Sequence, residues 1–185
     1  MIEIRLTEDG SKLISLGFDN SLALIDVKSG SILQTLKFNT KLRCLDIDPT
    51  GKLAVIGDKK GFIHYVNLEK GEVLRKISSG APQVSSISFS PDYSIVAAGT
   101  GVAVGYMIKK NPILLLGIEG QVKKSYISTH GATTSMKFSN DGKWLYSGHK
   151  ANTRSIIKWN LETSESASLT ETVNLISNSG YNSIE

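Results

Sequence analysis

Residues 99–105, GTGVAVG, place three glycines in seven residues, the composition of a loop that could cradle phosphate. Such a loop must open a helix, because the helix's first free N–H groups hold the anion. Here Val102, Ala103, Val104 and Tyr106 lead instead into an apolar, strand-like run, with no Lys-Ser or Lys-Thr after the glycines. The stretch therefore reads as a tight turn in which glycine supplies positive φ. No nucleotide cofactor is expected.

Metal and acid–base chemistry fare no better. His64, His130, His149 and Cys44 are scattered, without the paired spacing of a metal site. Asp9, Asp92 and Asp141 sit at equivalent turn positions, where a carboxylate bonds its own backbone. No serine has a histidine and a carboxylate in register with it. The expectation is a protein without catalytic, cofactor-binding or metal-binding residues, and not an enzyme.

The elements that would position any site come from repetition. LTEDGSKLISLG, IDPTGKLAVIG, FSPDYSIVAAG and FSNDGKWLYSG each read as strand, tight turn, strand. Aligning Gly10, Gly51, Tyr93 and Gly142 gives spacings of 41, 42 and 49 residues. Each phrase is followed by an apolar strand (LALIDVKSG, HYVNLEKG, VGYMIKKN, IIKWNLETS), and then by another: ILQTLKF, EVLRKIS, PILLLGI and, more weakly, ASLTETV. Four short strands per repeat and no sustained helical period predict an all-β fold.

FSNDGKWLYSG followed by IIKWNLETS resembles a WD40 repeat, and a period near 40 residues is that of a four-stranded propeller blade. The resemblance implies a β-propeller of four WD40-like blades, at 1–40, 41–82, 83–131 and 132–172, as a partial propeller. Residues 173–185 read as the start of a further blade or a disordered tail. The positions of the family's Trp-Asp pair hold Ile25-Asp26, Val66-Asn67, Tyr106-Met107 and Trp159-Asn160, so the repeats have drifted. The family also implies a hydrogen-bonded set bracing the fourth blade: Trp159, Ser147 and the loop histidine His130, with Asn152 nearest to the turn aspartate. Its expected role is structural.

The chain carries 21 basic and 17 acidic residues, a net charge of +4, so their placement matters more than their sum. In a propeller, the turns between second and third strands share one end of the blades with the connections between blades. The first group holds Lys59, Lys60, Lys150 and Arg154, and the second Lys41, Lys123 and Lys124; Asp19, Asp58 and Glu119 are the acids expected there. This end is the expected partner-binding face, for an acidic protein or peptide. RNA is the alternative, disfavoured because Phe18 and Tyr126 are the few aromatics nearby; a propeller enzyme, its site assembled across blades, ranks below both. The resemblance implies a non-catalytic scaffold for protein–protein interaction, with further blades from the same or another chain as partners. A single cysteine, an N-terminus unlike a secretory signal and no apolar run of membrane-spanning length set the expected location as intracellular, cytoplasmic or nuclear, without membrane insertion.

Overall fold

The computed structural model describes residues 3–101, 111–128, 131–150 and 154–169. These form four antiparallel sheets of four strands each. The first sheet holds β1 (Glu3–Leu6), β2 (Lys12–Leu16), β3 (Ser21–Asp26) and β4 (Ile32–Lys37). The second holds β5 (Leu42–Ile47), β6 (Leu53–Asp58), β7 (Phe62–Asn67) and β8 (Glu72–Ser78). β9 (Val84–Phe89), β10 (Ile95–Thr100), β11 (Asn111–Gly117) and β12 (Val122–Ser128) make the third. β13 (Ala132–Phe138), β14 (Trp144–Lys150), β15 (Arg154–Asn160) and β16 (Ser166–Ser168) make the fourth. Within each sheet, spatial order follows chain order. The first strands, β1, β5, β9 and β13, lie innermost and pack each against the next.

The recurring Asp-containing turns connect first to second strands. Asp9 accepts hydrogen bonds from Thr7 Oγ1 and Ser11 N, and Asp141 from Ser139 Oγ and Lys143 N. The next residue must take positive φ: Gly10 and Gly142 do so at 68° and 69°, and in the third blade Tyr93 does so at 58°.

Apolar alternation then packs the sheets face to face. Ile14, Leu16, Leu22 and Leu24 of the first blade join Leu45, Ile56 and Val66 of the second in one buried cluster. Val55, Ile63 and Tyr65 meet Ile87, Phe89 and Leu114 in another, and Ala97, Ile113 and Leu115 meet Phe138, Leu145 and Trp159 in the last. Three clusters thus join four successive blades. Ile4 and Leu6, on the other face of the first blade, remain 44% and 55% exposed. Glycine sets how closely blades approach: a Cβ on Gly57 would lie 2.5 Å from Val84 Cγ1 of the following blade. Carboxylates link the inner strands as well, since Glu3 accepts from Leu45 N at 2.7 Å and Asp46 from Phe89 N at 2.8 Å.

The third blade differs from the sequence reading. PILLLGI was expected as its fourth strand, but Asn111–Gly117 is the third, paired with β10 on one side and β12 on the other. Residues 113–117 are buried without alternation, as a strand covered on both faces must be. The expected third strand, VGYMIKKN, lies largely outside the described residues, as do the last four residues of GTGVAVG.

Candidate functional site

The ends of the blades are defined by hydrogen bonds. Lys59 N donates to Lys41 O at 2.8 Å, Ser79 N to Gly61 O at 2.9 Å and Gly101 N to Gln83 O at 3.1 Å, so inter-blade connections and second-to-third-strand turns form one surface. Lys41, Lys59 and Lys60 are exposed on it. Lys150, also exposed, closes β14 and is paired in register with Arg154, the first residue of β15.

The acids of this surface are already engaged. Asp19 pairs with Lys37 and accepts from Ser21 Oγ, and these bonds hold its carboxyl at about 2. Asp58 is fully buried: one oxygen accepts Lys60 N and Phe62 N, and the other meets His64 Nε2 at 2.9 Å. The turn that presents Lys59 and Lys60 is thus fixed from beneath.

Lys123 and Lys124 do not belong to this surface. Both lie within β12, the outer strand of the third blade, because the strand order there is shifted from the expected one. Lys124 Nζ donates to Leu161 O at 2.9 Å and lies 5.4 Å from the Tyr126 ring, so its charge is used to tie the third blade to the fourth. Glu119 likewise moves to the opposite end, in the β11–β12 turn, where it pairs with Arg75.

Arg43 was missed by the sequence reading. It is exposed on the inner strand β5 and makes no ion pair among the described residues. It lines an axial cavity of about 350 Å³ together with Ser85, Ser86, Thr134 and Ser135. Arg5, in the same cavity, is neutralised by Glu3 at 2.6 Å and Asp46 at 3.1 Å. The signal for Arg43 was its place two residues after Lys41, where a connection enters an inner strand. Cys44 beside it is a buried thiol whose pKa is pushed up by burial, which suppresses the thiolate.

Two of the residues expected to brace the fourth blade, Ser147 and Trp159, are hydrogen-bonded to each other. Trp159 Nε1 donates to Ser147 Oγ at 2.7 Å, and Ser147 Oγ bonds His149 Nε2 at the same distance. His149 Nδ1 reaches Ser128 Oγ of the neighbouring blade at 3.1 Å. His130 and Asn152 lie outside the described residues. His149, read in the sequence as an ordinary loop or strand histidine, joins the set because β14 aims alternate residues at the third blade. Among the described residues no cluster of three or more His, Cys, Asp or Glu could hold a metal ion, and no helix is long and apolar enough to cross a membrane.

Four sheets whose inner strands surround a shared axis define a β-propeller arc. Comparison with known proteins agrees. The WD domain, G-beta repeat, matches residues 120–160, which run from the outer strand of the third blade through the third strand of the fourth. The mouse Periodic tryptophan protein 2 homolog is 29% identical over 80% of the chain, which covers 16% of that protein. U3 small nucleolar RNA-associated protein 13 of Saccharomyces cerevisiae is 27% identical over 46% of the chain and 10% of that protein. The meiotic recombination protein rec14 of Schizosaccharomyces pombe is 27% identical over 50% of the chain and 31% of that protein. A solved structure, Kuenenia stuttgartiensis hydrazine synthase, superposes with a TM-score of 0.79 at 16% identity over 91% of the chain and 49% of that chain, a likeness of fold alone. The chain thus spans between a tenth and a third of these curated relatives. The fold is that of a β-propeller, and residues 120–160 are similar to a WD40 repeat.

Proposed function

We propose that the chain is a non-catalytic interaction scaffold that holds an acidic segment of a protein partner against the basic end of its blades. The observation that carries this reading is the imbalance of free charge there. Lys41, Arg43, Lys59, Lys60 and Lys150 are exposed, while Asp19 is ion-paired and Asp58 is buried against His64. A cationic surface on a rigid frame attracts and orients an anionic partner. The reading sets the chain in a reducing, intracellular compartment, consistent with Cys44 as its one cysteine.

The test is binding of a fluorescent glutamate-rich peptide by the full chain at low and at physiological salt. Replacing Lys41, Lys59, Lys60 and Lys150 by Ser should abolish binding; a variant that binds as the parent does would overturn the reading. The aliphatic face left open on the first blade, with Ile4, Leu6, Leu13 and Ile25, is proposed to take a sheet of a further blade. Leu6→Lys should then block assembly without changing the melting temperature of the chain alone, measured by light scattering and thermal melting.

A further inference from the structure

The registers of the four sheets bring equivalent residues into rows across each blade. On the face turned to the following blade, the first reads Arg5–Ile14–Leu24–Gln34. The second reads Asp46–Val55–Tyr65–Arg75, and the third Ser88–Ala97–Leu115–Lys124. The two middle positions of these rows are apolar and at most 5% exposed, because the next blade covers them. In the fourth blade the same row is Lys137–Tyr146–Lys158–Ala167. A lysine stands where the other blades bury Leu24, Tyr65 or Leu115. Covering this face as the others are covered would draw the Lys158 ammonium out of water, at high cost without a partner charge.

The face has a second property. Trp144 precedes Tyr146 by two residues on β14, so the two side chains stand on the same face, about 7 Å apart along the strand. Lys158 Nζ lies 3.7 Å from the Trp144 ring centroid and 6.0 Å from that of Tyr146. Both rings and Lys158 are half-buried, Lys137 is exposed, and Ile156 is 38% exposed beside them. None of the described strand residues on this face is acidic.

We propose that this sheet face of the fourth blade binds single-stranded nucleic acid, with bases stacked on Trp144 and Tyr146 and phosphates paired with Lys137 and Lys158. Two rings at alternate positions of a strand form a stacking platform that accepts any base, and the lysines supply the charge for the backbone. A base arriving over Trp144 displaces the Lys158 ammonium, which swings the short distance to the adjoining phosphate. An acidic peptide would use the lysines and leave both rings without a flat partner, so nucleic acid accounts for more of the face. Neither contact involves the ribose 2′-hydroxyl, so RNA and DNA single strands should bind alike. This surface is separate from the basic ends of the blades, and the two proposals stand or fall separately.

The experiment is fluorescence anisotropy of a labelled oligoadenylate titrated with the full chain, at several salt concentrations. Binding should be accompanied by quenching of tryptophan emission, since Trp144 would stack on a base. Tyr146→Ser should weaken binding by roughly 5- to 150-fold, the worth of one stacked base, while Tyr146→Phe should restore it. Lys137→Ser and Lys158→Ser should each flatten the salt dependence by about 0.7 in slope. Lys59→Ser with Lys60→Ser should leave the affinity unchanged. Circular dichroism melts of each variant separate a lost contact from a lost fold. The proposal is overturned if the full chain fails to bind at low salt, if Tyr146→Ser binds like the parent, or if the loop lysines carry the affinity. Polyglutamate displacing the oligonucleotide as readily as unlabelled oligoadenylate does would also overturn it, by assigning the face to acidic protein.

Discussion

Replacing Ser147 by Ala tests whether the fourth blade is braced as its geometry states. Ser147 is fully buried, with His149 and Trp159 only 5% and 6% exposed. An indole N–H can only donate, so Ser147 Oγ accepts it and can turn its own O–H to His149 Nε2. His149 Nδ1 in turn lies 3.1 Å from Ser128 Oγ, which carries the relay into the third blade. Ser147→Ala removes the central atom of this relay and strands the Trp159 N–H in the core. A buried donor without a partner costs about 1–3 kcal/mol, and an ordinary hydrogen bond contributes about 1, so the expected loss is about 2–4 kcal/mol. For a chain of this size that corresponds to a fall of roughly 4–16 °C in melting temperature. The assay is urea unfolding followed by far-ultraviolet circular dichroism, for the parent, Ser147→Ala, Trp159→Phe and the double variant. Phenylalanine keeps an aromatic ring against Tyr126, whose centroid lies 5.1 Å from that of Trp159. Once Trp159 has no N–H to strand, Ser147→Ala should cost about 1–2 kcal/mol less. A loss under about 0.5 kcal/mol for the single variant, or strict additivity in the cycle, would refute the bracing argument.

Gly142→Ala should cost about 1–2 kcal/mol, all of it backbone strain, because its φ is +69° and the nearest atom to a new Cβ is 3.9 Å away. Gly61→Ala should be far worse, about 4 kcal/mol or more, since its Cβ would fall 1.7 Å from the Ala81 carbonyl oxygen; equal melting temperatures for the two variants would contradict both estimates. Tyr65→Phe should cost about 1 kcal/mol, because the buried Tyr65 hydroxyl donates to Gly117 O of the next blade at 3.1 Å; chemical denaturation measures it. Hydrogen bonds from Thr7 and Ser11 hold the Asp9 carboxyl at about 2, and bonds from Lys37 and Ser21 hold Asp19 there. Asp92 and Asp141 are lowered by the serine bonds of their own turns. These folded-state values lie below the unfolded ones, so the stability they contribute is complete above about pH 4 and is lost as pH falls through about 2. Melting temperature against pH should therefore be flat above pH 5 and drop below 4; a curve flat to pH 2 would show that these turns contribute nothing.

The turns of the fold were legible because each is closed by chemistry confined to a few neighbouring residues. An Asp that bonds its own backbone, followed by a residue at positive φ, needs no tertiary context. The third blade was misread for the opposite reason. GVAVGYM and PILLLG are both apolar runs of strand length, and their periodicity alone does not say which one pairs with β10. A clue was present in the run itself: four consecutive apolar residues, Ile113 to Leu116, suit a strand covered on both faces, whereas VKKSYIS has the polar admixture of a perimeter strand. That single shift carried Lys123 and Lys124 from a presumed loop into β12. Ser147 and Trp159 were legible through the fourth repeat's resemblance. The partners of His149 and Asp58 were not, since each depends on register between strands or on which atoms a turn closes over.

The two end faces of the arc show why net charge said so little about function. The first blade presents aliphatic Ile4, Leu6 and Leu13 outward, whereas the fourth presents Trp144, Tyr146, Lys137 and Lys158. The two are opposite sides of the sheet: Ile4, Leu6 and Leu13 stand where the fourth blade buries Met136, Phe138 and Leu145 against the third, whereas Lys137 and Tyr146 stand where the first blade turns Arg5 and Ile14 to the second. An aliphatic face gains only by excluding water, and another apolar sheet does that best. Rings interleaved with ammonium groups gain from flat, negatively charged ligands, and such a face tolerates water at its rim. Blade repetition therefore supplies the frame, and it is the departures from repetition, at Lys158 against Leu24, Tyr65 and Leu115, that mark where this chain has something of its own to bind.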